Sequence, residues 1–385
     1  MKYIEVFLTA LRLGLTSFGG PIAHLSYFHE EYVRKKKWIN DHSYADLVAL
    51  CQFLPGPASS QVGMAIGYSR AGIFGAILSW TGFTLPSAII LILFAFGLSF
   101  INLDEHQHWL HGLKVVAVAV VAQAVWGMSK KLCPDLKRKA IALISCAAIL
   151  IFNSPYTQVL VLITFGLLGT LIFKMTSELP NEPIPRSSKK MGAALLSLFI
   201  VLLLALPVLR GIFPDQSLKL FDSFYRAGAL VFGGGHVVLP LLQAEVVPSG
   251  WVSNDLFMAG YGVANAIPGP LFAFSSYLGA IAQGWTGAII SLMAAFLPSF
   301  LLIVGILPFW EKLKTISKVR QSMLGINASV VGILLAALYQ PVWTSAIFSI
   351  KDFALATVGF IMLEKFKMPS WAVVLSTVIA SFIIY

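Results

Sequence analysis

Apolar residues in this 385-residue chain gather into long runs: 71–103, 112–129, 140–173, 193–213, 285–309, 323–340 and 353–385. A bilayer crossing needs about 20 apolar residues, so several of these runs are full transmembrane helices. The run 140–173 is interrupted near Asn153-Ser154-Pro155. Its first piece, 140–152, and the segment 353–364 are marginal in length, which fits tilting or shelter among other helices. Residues 174–192, KMTSELPNEPIPRSSKKMG, are polar, charged and proline-bearing, and read as a linker. The opening Met1-Lys2-Tyr3-Ile4-Glu5 lacks the basic, apolar and small-residue succession of a removable signal peptide. The pattern predicts an all-α, polytopic helical membrane protein.

The linker separates two halves that repeat one another. LRLGLTSFGGP (11–21) aligns with YRAGALVFGGG (225–235), pairing Arg12 with Arg226 and Phe18-Gly19-Gly20 with Phe232-Gly233-Gly234. Glu31 then falls opposite Glu245 and Trp38 opposite Trp251. Leu54-Pro55-Gly56-Pro57 matches Ile267-Pro268-Gly269-Pro270, and Leu85-Pro86-Ser87 matches Leu297-Pro298-Ser299. The offset drifts only from 214 to 212 across the series. The chain therefore divides into a repeat over 1–173, the linker 174–192, an extra transmembrane helix within 193–216, and a second repeat over 217–385.

Composition narrows the class. Charged residues make up 11% of the chain and apolar ones 58%, against about 25% charged in soluble proteins. Disorder and a water-soluble enzyme are both excluded on that ground. The three cysteines, Cys51, Cys133 and Cys146, have neither disulfide nor zinc spacing. The net charge of +10 is explained by topology rather than by a nucleic-acid partner, because 19 of the 27 Lys and Arg residues fall in 34–37, 130–139, 174–190, 312–320 and 365–367. Basic loops of one repeat match loops poor in Lys and Arg in the other. Under the positive-inside rule the repeats therefore face opposite ways, with the extra helix supplying the flip. The N-terminus and linker are then cytoplasmic. Parity turns 217–245, and by symmetry 3–33, into re-entrant hairpins broken at their glycines. The Pro-Gly-Pro segments break a second helix pair. Inverted repeats of this kind place a substrate site where they meet.

Candidate chemistry clusters at those breaks. Bare backbone in hydrocarbon costs several kcal/mol, so a break survives only inside protein or beside a polar cavity. Freed N–H groups at half-helix starts can cradle an anion; close packing through small residues is the alternative. Gly19, Gly20, Gly233, Gly234 and Gly235 form the first pair of breaks, and Gly56 and Gly269 the second. Arg12 and Arg226, one before each Phe-Gly-Gly, could together neutralise a divalent oxyanion. Each could instead snorkel, or pair with Asp222, Glu31 or Glu245. Ser17 lies at the first break, and Ser59, Ser60 and Gln61 follow the first Pro-Gly-Pro; their counterparts in the second copy have diverged. His24 and His236 follow the two breaks and could donate to an anion or simply be structural. Glu31 and Glu245 are candidates for proton coupling. His106, His108 and His111 have metal-like spacing, but their loop position argues against a metal. No nucleotide-binding or hydrolase motif is present, so no cofactor and no enzymatic activity are expected.

These motifs resemble the chromate ion transporter family. The stretches LRLGLTSFGGPIAHLSYFHEEYV (11–33), WINDHSYADLVALCQFLPGPASSQVGMAIGY (38–68) and AGIFGAILSWTGFTLPS (71–87) carry the likeness. VFGGGHVVLPLLQAEVV (231–247) and ANAIPGPLFAFSSYLGA (264–280) repeat it in reduced form, with Gly235 in place of Pro21. The resemblance covers both halves and implies the long, two-domain type. It also implies export of chromate across the cytoplasmic membrane, chromate resistance, and sulfate as a competing or alternative substrate. An anion channel is the alternative from another class. A dianion leaving a cell polarised by 100 mV gains about 4.6 kcal/mol, so export needs no coupled ion. The expected partners are the oxyanion and the lipid bilayer, with a second copy of the chain as a candidate.

Overall fold

The computed structural model describes residues 2–18, 20–98, 107–152, 155–174, 188–232, 237–313 and 316–385. Among these, the first repeat holds α1 (Lys2–Thr16), α2 (Gly20–Phe28) continuing as a π-helical stretch (His29–Lys35), and α3 (Asp41–Phe53). It continues with α4 (Ala58–Leu98), α5 (Gln107–Leu132), α6 (Leu136–Phe152) and α7 (Pro155–Ile172). The extra helix is α8 (Lys189–Ile212). The second repeat runs through α9 (Gln216–Leu230), α10 (Val238–Val246) and α11 (Asn254–Ala266). A 3-10 turn (Leu271–Ala273) then leads into α12 (Phe274–Ile306), α13 (Trp310–Leu313), α14 (Ser317–Ala337), α15 (Ile350–Glu364) and α16 (Ser370–Ile384). Among the described residues, five segments are long and apolar enough to cross a membrane: 58–98, 108–132, 189–212, 271–309 and 317–343.

Two of those five are hairpins. In a straight helix, residues eight apart are separated by about 12 Å. Within α4, however, a methyl group on Gly67 would overlap the carbonyl of Gly75, and one on Gly75 would overlap that of Gly67. Ser79 also donates to the Gly63 carbonyl at 2.8 Å. The pairs 63/79 and 67/75 share one midpoint, so the chain doubles back at Ala71-Gly72. Gly72 has φ +65°, which a side chain would strain. The second copy does the same at Gln283-Gly284, where Gly279 and Gly287 meet through their carbonyls and Gly284 has φ +61°. The short leg of α4 is about 20 Å long, less than the ~30 Å hydrocarbon core. Its long leg begins where the apolar run beginning at residue 71 was read, and the long leg of α12 begins where the run at 285 was read.

Small residues let the hairpins pack. Gly14 of α1 lies on the carbonyls of Gly82 and Phe83, and Gly228 of α9 on that of Ala295, which are equivalent contacts in the two copies. Distal helices exchange partners. α5 packs on α15 and α16 of the second repeat, whereas α14 packs on α6 and α7 of the first. Gly332 against Ala142, and Gly325 against Phe165, bring those backbones together. The result interlocks the two copies through a common core, with Trp80 of α4 set edge-on to Phe296 of α12 at 5.6 Å.

Candidate functional site

The first predicted break is present, and the helix before the second ends ahead of its glycines, which lie outside the described residues. α1 ends at Thr16 and α2 restarts at Gly20 with φ +78°; α9 ends at Leu230, ahead of α10. The two Pro-Gly-Pro turns reach across to the opposite copy. Gly56 donates its N–H to the carbonyl of Val231 at 2.6 Å, and Gly269 donates to that of Ser17 at 3.0 Å. These are equivalent bonds under the repeat, and each satisfies one buried carbonyl just beyond the end of α9 or α1. Both glycines have positive φ, +119° and +102°. A methyl on Gly56 would overlap Ser299 Oγ, and one on Gly269 would lie 2.7 Å from Ser87 Oγ. The four broken ends and the Leu-Pro-Ser segments thus form one crossing point.

With the carbonyl ends satisfied, the helix starts remain as donors. Pro57 caps the short leg of α4, its carbonyl accepting from Gln61 N–H at 3.0 Å. The first-turn N–H groups of Ala58, Ser59 and Ser60 have no intrahelical acceptor. Around them lie buried polar side chains. Among the described residues, Ser17 Oγ, His24 Nε2, Ser60 Oγ, Gln61 Oε1, Trp80 Nε1, Thr84 Oγ1 and Ser299 Oγ have no hydrogen-bond partner in the protein. Ser17 and Gln61 are completely buried. His24 Nδ1 sits 3.3 Å from Ser59 Oγ, and its ring stands edge-on to Phe83 at 5.4 Å. When Ser59 donates to Nδ1, the imidazole proton is on Nε2. Gln61 donates its amide to the Pro55 carbonyl at 2.7 Å and so also braces the turn. A buried group without a partner costs about 1–3 kcal/mol.

The structure brings together Ser17, Gly20, His24, Gly56, Ser59, Ser60, Gln61 and Gly269 of the predicted set. Gly19, Gly233, Gly234, Gly235, His236 and His106 lie outside the described residues. The arginines depart from the expectation of a matched pair at the breaks. Arg12 is exposed, because α1 buries Val6, Thr9, Ala10, Leu13 and Gly14 and so turns Arg12 away. Arg226 is engaged by carboxylates, through Nε and Nη2 to Asp222 at 2.9 and 2.8 Å and through Nη1 and Nη2 to Glu245 at 2.8 and 3.0 Å. Glu245 is thereby held in ion pairs, and the buried Glu31 lies 3.8 Å from Lys35 Nζ. His111 bonds Asp352 at 2.6 Å, which gives it a structural partner on α15. Ser275 and Ser276, beyond the second Pro-Gly-Pro, donate back to Phe272 and Ala273 at 2.7 Å.

Thr84, Ser87, Ser299 and Arg210 are the residues that motif reading did not single out. Ser87 and Ser299 were visible as matched Leu-Pro-Ser triplets, a repeat signal that only the crossing geometry converts into a site.

A model of the family described as "Chromate transporter" matches residues 4–170 and 218–382. The chain belongs to the chromate transporter family. It is therefore a multi-pass membrane transporter and not an enzyme. The chromate transport protein of Cupriavidus metallidurans is 28% identical over 365 residues, spanning 93% of this chain and 86% of that one. The probable chromate transport protein of Synechococcus elongatus is 26% identical over 333 residues, or 85% and 81% of the two chains. An uncharacterized transporter of Methanocaldococcus jannaschii is 26% identical over 388 residues, covering 99% and 94%. No solved structure matches the chain significantly.

Proposed function

We propose that this protein carries chromate outward across the cytoplasmic membrane, binding it where the four broken helix ends cross. The observation that carries the reading is the set of buried hydroxyl oxygens and one imidazole nitrogen without a partner among the described residues, together with the start of the short leg of α4, whose first-turn N–H groups have no intrahelical acceptor. A tetrahedral dianion needs dispersed donors around all its oxygens, and helix starts supply them with a favourable dipole. The names of the relatives from Cupriavidus metallidurans and Synechococcus elongatus support chromate as the substrate. Reciprocal bonds between the two Pro-Gly-Pro turns support paired repeats around one central site, and the basic-loop pattern supports their inversion. Membrane potential then drives export, and the same charge placement puts the N-terminus and linker in the cytoplasm.

The test is chromate flux in proteoliposomes under an imposed, inside-negative potential. Saturable efflux that falls on Ser60→Ala and His24→Ala, with the variants folded, is the expected result. Undiminished flux in both would remove the site from the crossing point. Sulfate is the second reading, favoured by its matching shape and charge, and competition between the two anions separates them.

A further inference from the structure

Beyond the crossing point, the second repeat holds a charge network that the site above does not use. It joins Arg210 at the end of α8, Asp222 and Arg226 on α9, and Glu245 in the last turn of α10. Asp222 is fully buried and grips Arg226 through two hydrogen bonds at 2.8 and 2.9 Å. It also accepts from Arg210 at 3.2 Å. Glu245 is the more exposed carboxylate, and it is embraced from three sides. Arg226 contacts both its oxygens, Ser223 Oγ donates to it at 2.8 Å, and Arg210 reaches it at 3.4 Å. Arg226 lies five residues before Val231, which puts the network about 7 Å along α9 from the crossing point.

The two carboxylates are not equivalent. Asp222 shares a helix with Arg226 at i,i+4 spacing and has no exposed surface. Glu245 arrives from a separate short helix at its carboxyl end, where the helix dipole disfavours negative charge. Two guanidiniums and a hydroxyl converge on a planar anion of this chain, and such forks suit oxyanion oxygens equally well. We infer that Arg210, Arg226 and Ser223 form a second oxyanion station, occupied in this conformation by Glu245 as an internal stand-in that a transported dianion displaces. This rests on the oxyanion-transport reading above. Among the described residues of the first repeat the equivalent groups do not assemble: Leu8 stands where Asp222 does, and Arg12 is exposed. The station therefore serves one side of the path, and by the charge pattern that side is the external one.

The experiment is sulfate-dependent thermal stabilisation of the purified full-length protein at constant ionic strength, with chloride as the control. Glu245→Gln is expected to respond to sulfate at least about tenfold below the wild-type half-saturating concentration. Arg210→Gln added to it should return the response to the wild-type range. Glu245→Ala should in addition gain stability from acetate, which replaces the missing carboxylate, and this arm reads out even if the variant is unstable without anion. A response to sulfate and acetate unchanged from wild type in both Glu245 variants would overturn the station and leave the network as a structural brace. Ser60→Ala separates the two ideas. It removes the wild-type sulfate response if the crossing-point site is right, while the Glu245 arms stand or fall without it.

Discussion

At the first break, several hydroxyls and one imidazole nitrogen are buried without protein partners among the described residues, whereas just before the second break Arg210, Asp222, Arg226 and Glu245 are matched in ion pairs. Both regions descend from the same Arg…Phe-Gly-Gly motif, and both sit beside equivalent inter-repeat bonds. The difference lies in what surrounds the motif. The first copy carries Ser17, His24, Ser59 and Ser60, all neutral; the second carries Asp222, Arg226 and Glu245 and recruits Arg210 from the helix that only it adjoins. A neutral, unsatisfied region is suited to receiving an anion at little desolvation penalty. An ionic, satisfied one is suited to holding a conformation until something competes for its arginines.

The largest expected effect tests the satisfied side. Asp222→Ala leaves the partly buried Arg226 with Glu245 as its carboxylate partner; breaking a fully buried pair costs about 3–5 kcal/mol, and the partial exposure of Arg226 lowers that figure. The variant should lose folded protein on heating well below wild type, measured by the melting of tryptophan fluorescence or by retention of a monodisperse elution profile. The equivalent position in the first copy is Leu8, which is exposed. Leu8→Ala should change the melting temperature little. Equal losses at both positions would end the contrast.

Next in size are the glycines that the two copies share. Gly56→Ala and Gly269→Ala each place a methyl in a positive-φ position against a serine hydroxyl. Strain of this kind costs about 1–3 kcal/mol, and the overlap at Gly56 is the tighter. Both should destabilise, Gly56→Ala more. Here the copies are expected to behave alike, because the inter-repeat bonds are equivalent even though the side chains around them are not. A neutral outcome at either position would show that the crossing point relaxes without cost.

Much of this was legible in the chain. The apolar runs gave membrane helices, and the ordered repeats gave two copies meeting at their broken ends. Gly72 and Gly284 were the unread punctuation, since each sits in an apolar stretch that looks continuous until the facing Gly67–Gly75 and Gly279–Gly287 contacts fold it back. The two arginines differ in this conformation for a local reason. A repeat alignment preserves position along a helix but not which partner has evolved opposite it. Arg226 acquired Asp222 one turn away, while Arg12 acquired only Leu8 and an outward-facing side of α1. Arg210 could not be seen at all, because its role depends on α8 docking against α9.

A smaller and more specific effect separates guest binding from bracing. Ser60 Oγ has no partner in the protein, whereas Ser276 Oγ already donates to Ala273 at 2.7 Å. Ser60→Ala should leave melting unchanged and reduce chromate flux about tenfold or more, the value of one hydrogen bond to a charged ligand. Ser276→Ala should leave flux within about twofold of wild type, because a local helix bond contributes little net free energy. Flux assayed side by side in proteoliposomes of matched protein content decides between them, and a reversed order would move the guest to the second copy.

The smallest effect bears on the residue that the sequence made most conspicuous. Arg12 is exposed on the face of α1 opposite its packing surface, so its charge can be reached by headgroups or water without crossing the core. Arg12→Gln should shift stability by no more than about 0.5 kcal/mol and retain chromate transport, while Arg226→Gln abolishes the anion response of the Glu245→Gln protein. Retained transport in the first would confirm that the guanidinium kept its place in the repeat while losing the partners that give its copy a function. Abolished transport with unchanged melting would mean that α1 rotates during the cycle and brings Arg12 to the crossing point, restoring the symmetric pair in a conformation other than this one.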